Sequence, residues 1–125
     1  MIEDDEVYFF DTYAIIEILL DNDNYKRYTD KGVILTKLNL FELYYNVLKD
    51  FGDAKADEYS EKYYPFIADY GKEVIKGASK LKLQYKDRNL SMTDCIGYII
   101  AKKLGIKFLT GDKEFENFDN VEFVK

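Results

Sequence analysis

Histidine is absent from this 125-residue sequence, and cysteine and proline occur once each. Without histidine neither a Ser-His-Asp nor a Cys-His relay can be assembled, and a single cysteine cannot complete the usual zinc sites. Any chemistry must therefore run on carboxylates. The lone Cys95 cannot close an internal disulfide. On the inner face of a helix it reads as a small buried hydrophobe, which fits a reducing compartment. No apolar run approaches the roughly 20 residues that span a bilayer, and the start, MIEDDE, is acidic where a signal peptide is basic. A cytoplasmic protein with no membrane partner is expected. Linker-like Pro-rich or Gly/Ser-rich stretches are missing too, so one domain is expected over residues 1–125. Positive charge is also short: 18 Lys and Arg against 24 Asp and Glu leave a formal net charge of −6. This argues against holding nucleic acid by bulk charge alone, because that attraction comes from many Lys/Arg contacts to phosphate. An acidic site that binds divalent cations remains open.

The most informative stretch that is present runs from 91 to 115, SMTDCIGYIIAKKLGIKFLTGDKEF. Cys95, Ile96, Ile99, Ile100 and Leu104 recur at helical spacing, Ser91 is a candidate N-cap with Asp94 three residues on, and Gly105 follows as a C′ glycine would. Lys107-Phe108-Leu109-Thr110 then reads as a short buried strand leading to Asp112. A helix between two parallel strands runs antiparallel to both, so its N-terminus lies at the edge where the next strand ends. Asp94 and Asp112 are therefore expected on one edge of the molecule.

The front of the chain repeats the pattern. Val7-Tyr8-Phe9-Phe10 reads as a strand ended by Asp11, with an apolar helix from Thr12 to Leu20. Val33-Ile34-Leu35 reads as a strand followed by a helix from Leu38 to Phe51, with Glu42 near its first turn. On that helix Leu40, Phe41, Leu43, Tyr44, Val47, Leu48 and Phe51 form an apolar arc, while Asn39, Asn46 and Lys49 face the other way. Between these units, DNDNYKRYTDKG is polar and turn-prone, with a short helix around Tyr25 to Tyr28. Residues 53–64 read as an exposed helix ending before Pro65, Phe66 to Ala68 as a short third strand, and Lys72 to Tyr85 as a helix. Val121 to Val124 alternates as an edge strand does. Strands joined by helical crossovers imply an α/β sandwich with a parallel sheet.

In order and spacing, FFDTYAII, NLFELYYNVL, LSMTDCIGYIIAKKLG and T-G-D-K-E-F resemble the PIN-domain nucleases, and more narrowly the toxin ribonucleases of the VapC type, over nearly the whole chain. The resemblance implies a three-layer α/β sandwich with strand order 3-2-1-4-5, an endoribonuclease acting on RNA, a small antitoxin partner and a homodimer. The chain departs from the family at Tyr13, where a small polar residue often stands.

Singly, Asp11 reads as an N-cap, Asp94 as the acid of a capping box and Asp112 as a turn residue. Glu42 has no basic residue three or four positions away, so an ion pair within its helix does not account for it. Convergence tips the balance, since four acids on one rim repel one another unless a cation sits among them. Oxygen-only ligands favour Mg²⁺ or Mn²⁺. Asp11, Asp94 and Asp112 are expected as metal ligands and Glu42 as a further ligand or water-positioning group, with Thr12 and Thr110 steadying neighbouring carboxylates. The row Lys72, Lys76, Lys80 and the nearby Arg88 could touch RNA, although such a row is usually a solvated helix face. Two other classes compete: a receiver-like Mg²⁺-binding signalling domain and a non-catalytic PIN-like binding module.

Overall fold

A computed structural model of the chain describes residues 6–125. Most of the acidic start on which the reading against a signal peptide rests, residues 1–5, lies outside the described residues. The order is β1 (Val7–Phe10), α1 (Thr12–Leu19), a 3-10 helix (Asp23–Tyr28), β2 (Gly32–Ile34), α2 (Lys37–Phe51) and α3 (Asp53–Tyr63). A 3-10 turn (Tyr64–Phe66), α4 (Lys72–Gln84), α5 (Met92–Leu104), β3 (Lys107–Thr110), a second turn (Lys113–Phe115) and β4 (Val121–Phe123) follow. The strands pair in parallel in the order β2-β1-β3-β4. No described helix is long and apolar enough to cross a membrane.

The expected third strand shrinks to one parallel bridge between Leu35 and Ile67. Pro65 lies within the preceding turn, which takes in Phe66 and leaves Ile67 as the bridged residue. The Gly32 N–H points to the Glu6 carbonyl on the β1 side, whereas Leu35 bonds both Phe66 and Ala68. Three residues along a strand, peptide groups point the opposite way, so the bridge lies beyond β2. The order is thus 3-2-1-4-5 in kind, with its third member reduced. A receiver-type order would set the third strand beside β1 instead.

Alternation along the strands feeds two cores. Tyr8, Phe10 and Leu109 pack with Ala14 and Ile15 of α1, Leu43 and Val47 of α2, and Ala56 and Tyr63 of α3. Phe9 and Phe108 point the other way, onto Val74 and Ala78 of α4 and Cys95, Ile96 and Ile100 of α5. The result is three layers, helix on sheet on helix. Cys95 is buried, as its helix face implies.

One local reading is extended and another needs correction. Tyr25 and Tyr28 of the polar connection are core residues, their hydroxyls donating to the Val124 carbonyl and to Glu122. The polar ends of these rings find partners on β4 and on the residue after it, which lets an otherwise hydrophilic segment bury them. The arc on α2 is also wider than the core, because Phe41, Leu48 and Phe51 stand exposed.

Candidate active site

Each β-strand of the parallel sheet ends on the edge where α2 and α5 begin, and this brings the acids together. Asp11 follows β1 directly. Glu42 lies on the second turn of α2, Asp94 on the first turn of α5, and Asp112 two residues past β3. Their mutual influence marks them as neighbours: Asp94 and Glu42 act on Asp11, while Asp112 and Glu42 act on Asp94.

Local bonding differs among the four. Asp94 accepts from the Ser91 N–H while Ser91 accepts from the Asp94 N–H, which makes a capping box. Asp112 accepts from the Glu114 N–H and caps the turn that follows. The structural readings of these two acids are therefore realised. Asp11 sits at the N-cap position of α1 but makes no side-chain capping bond. Its carboxylate instead accepts from the Thr110 hydroxyl at 2.7 Å, and Thr110 in turn accepts from the Asp112 N–H at 3.0 Å. One threonine thereby ties the ends of β1 and β3 together.

Glu42 is held through a relay. Its Oε1 accepts from the Thr12 hydroxyl at 2.7 Å, and that hydroxyl accepts from Asn39 Nδ2 at 3.1 Å. Asn39 is 1% exposed, which corrects its assignment to the solvated side of α2. It is the third residue of the helix, and its Oδ1 accepts from both the Thr36 N–H and the Thr36 hydroxyl in a second capping box. A helical wheel misses such a residue because first-turn side chains reach back past the helix end. The T-x-x-N spacing was the available signal.

The charge balance is unfavourable. Asp11 is 4% exposed, and burial pushes its carboxyl from the ordinary 3.8 up to about 8, with Asp94 and more weakly Glu42 pushing the same way. The Thr110 hydroxyl and the Thr12 amide oppose the rise without cancelling it. Asp94 is also raised, first by burial and then by Asp112 and Glu42, against its Ser91 bonds. Among the described residues, none of the four makes an ion pair.

The donor set is all oxygen, the set that Mg²⁺ and Mn²⁺ prefer. Among the described residues no three carboxylates close into a ready-made cage. Asp94 bonds Ser91, Asp112 bonds Glu114 and Glu42 bonds Thr12. These are single hydrogen bonds that leave other carboxylate lone pairs available, so the residues fit a cation in chemistry and charge. Tyr13 packs on the Gly111 backbone, where a Cβ would run into its ring and into the Val124 carbonyl. A glycine is required for that close approach, which holds the Thr-Gly-Asp turn against the C-terminal segment.

A protein-family model described as the PIN domain matches residues 8–121. No curated protein matches the sequence. Among solved structures, a toxin-antitoxin complex from Klebsiella pneumoniae aligns with a TM-score of 0.71 at 16% identity, covering 92% of this chain and 95% of that one. VapBC2 from Rickettsia felis, bound to a DNA fragment from their promoter, gives 0.71 at 16% identity over 95% and 99% of the two chains. DNA-bound VapBC from Salmonella typhimurium gives 0.70 at 17% identity over 94% and 96%. At such identities the likeness is one of fold.

Proposed function

The chain belongs to the PIN-domain family, and from that premise we propose that it is a metal-dependent endoribonuclease, the toxin of a toxin-antitoxin pair. The observation that carries this reading is Asp11: a buried carboxylate with no side-chain capping bond and, among the described residues, no ion pair, pressed by two further acids. Burying such a group costs stability unless a cation compensates it. Asp11, Asp94 and Asp112 hold Mg²⁺ or Mn²⁺ in this reading, and Glu42 is a further ligand or positions water. When bound, the metal supplies charge neutralisation at the scissile phosphate and activation of water, so no protein nucleophile is needed. Thr110 orients Asp11, and Thr12, fixed by Asn39, orients Glu42.

The partner is a small antitoxin, in keeping with the matched toxin-antitoxin complexes. Its Arg or Lys side chains would make charge-assisted hydrogen bonds to the acid rim. An exposed stripe on α2, Phe41 at 73%, Tyr45 at 57% and Leu48 at 38% exposure, supports a protein partner or a second copy in a homodimer. Residues 1–125 act as one domain in the cytoplasm.

The test is cleavage of single-stranded RNA by the purified protein with Mg²⁺ or Mn²⁺ and with EDTA. Activity only with metal is expected, and cleavage that survives chelation contradicts the mechanism. The capping bonds of Asp94 and Asp112 favour a second reading, a binding module whose acids are structural. Binding of RNA without turnover in Mn²⁺ would select it.

A further inference from the structure

A cleft of about 400 Å³ opens beside α4 and α5, lined among others by Gln84, Tyr85, Arg88, Tyr98, Lys102 and Phe118. Tyr85 and Phe118 pack with ring centroids 4.8 Å apart. Arg88, in the loop between the two helices, lays its guanidinium over both rings, 5.6 Å from the Tyr85 centroid and 5.3 Å from that of Phe118. Its Nη1 donates to the Glu114 carbonyl at 2.7 Å, and a guanidinium carries five N–H donors in all. Lys102 is paired with Asp119 at 3.3 Å. Among the described residues Arg88 has no ion pair, although the chain carries 24 acids and 18 bases.

The cleft is joined to the acid rim by one residue. The Glu114 N–H is held by Asp112 Oδ1 at 3.0 Å, and its carbonyl is held by Arg88. A pre-organised guanidinium therefore stands one residue from the carboxylates, at the end of an aromatic wall. That pairing of a fixed cation with ring faces is what single-stranded nucleic acid uses, phosphate on the cation and base on the ring. A polyanion approaching four carboxylates also needs a nearby cation to hold its flank.

We propose that Arg88, stacked on Tyr85 and Phe118, binds the backbone phosphate of an RNA nucleotide next to the bond to be cut, with the adjoining base against the wall of this cleft. The inference rests on the nuclease reading and adds the path by which the strand leaves the rim.

The experiment measures binding of a fluorescein-labelled single-stranded RNA to full-length Asp11→Asn protein by anisotropy across a salt series. Arg88→Gln in that background should weaken binding roughly tenfold, the worth of one charge-assisted phosphate contact. It should also lower the slope of log K against log salt by about 0.7, the value for one phosphate on a single strand. Arg88→Lys should keep the slope. With Asp11 intact, Arg88→Gln should raise KM for cleavage more than it lowers kcat. Gln84→Glu adds a negative charge at an exposed position of the cleft and should weaken binding without unfolding the chain, which keeps the test valid if Arg88→Gln folds poorly. Unchanged affinity and salt slope in Arg88→Gln and Gln84→Glu would overturn the inference and leave Arg88 as a staple between a loop and Glu114. If the parent cleaves RNA in Mn²⁺ while both variants bind normally, the cleft inference falls alone. If the parent never cleaves yet binding depends on Arg88, the nuclease reading falls and the cleft stands.

Discussion

Phe108, on β3, and Asp11, at the end of the neighbouring β1, are both buried and are surrounded on opposite terms. Phe108 is 0% exposed, stacks on Phe9 at 5.7 Å and meets the edge of Tyr98 and the ring of Phe115 at 5.9 and 4.9 Å. Every neighbour there makes burial more favourable. Asp11 is 4% exposed, and its charged neighbours Asp94 and Glu42 make burial of its anion less favourable. The aromatic core and the other packing must therefore carry the acid rim. Burial in the first region is a source of stability. In the second it is a cost that the fold tolerates, which is the pattern expected of a site kept for chemistry.

Breaking the core side of this comparison has the largest effect. Phe108→Ala should cost about 3 to 5 kcal/mol, as large-to-small changes of buried aromatics do, read as a lower urea midpoint at a similar slope. Asp11→Asn should act with the opposite sign in EDTA. The folded carboxyl titrates near 8 against an ordinary 3.8, so its protonated form is the one the fold favours. The stability it permits is present below pH about 4 and lost as pH rises toward about 8. Asn cannot ionise, so the variant should gain on the parent across that window, with a larger advantage at pH 8 than at pH 4. Denaturation of both proteins at pH 4, 6 and 8 measures it, and a gap that does not widen with pH removes the strain from the rim.

Asn39→Ala tests how the rim is positioned. It removes the donor to Thr12 and the acceptor for Thr36, so a loss of about 1 to 2 kcal/mol is expected, together with reduced RNA cleavage through the loosened Glu42. Stability lost with cleavage intact would show that Asn39 serves only the helix cap. The smallest effect should come from Lys55→Ala, which deletes an exposed pair with Glu58 at 3.4 Å. Less than about 0.5 kcal/mol is expected, since exposed ion pairs contribute little.

These residues also mark what could be read from the sequence. The helix spanning Met92–Leu104, with Ser91 as its cap and Gly105 at φ 70° closing it, follows from periodicity and end signals alone. So does the meeting of strand ends with helix starts, because a parallel crossover leaves them no other edge. Three features were beyond it. Whether Phe66 to Ala68 forms a ladder or a single bridge depends on how the Pro65 turn docks beside Leu35. Tyr25 and Tyr28 sit in a polar segment whose burial depends on acceptors about a hundred positions later, Val124 and Glu122. The relay from Asn39 through Thr12 to Glu42 crosses two helices; the T-x-x-N spacing marks Asn39 on one of them, but the contact between the helices leaves no pattern in either.

The most direct test of a shared cation site is a thermal melt of the parent and Asp11→Asn, each in EDTA and in millimolar Mn²⁺. Asp11 is the better choice than Asp94, whose carboxylate also caps α5 and would mix two effects. Metal at about ten times its dissociation constant contributes roughly 1.4 kcal/mol to the native state, a melting shift of a few degrees. The parent should melt below Asp11→Asn in EDTA and rise by that amount in Mn²⁺, while the variant shows little or no shift. Equal Mn²⁺ shifts in both proteins, or none in the parent, would contradict a cation site built on Asp11.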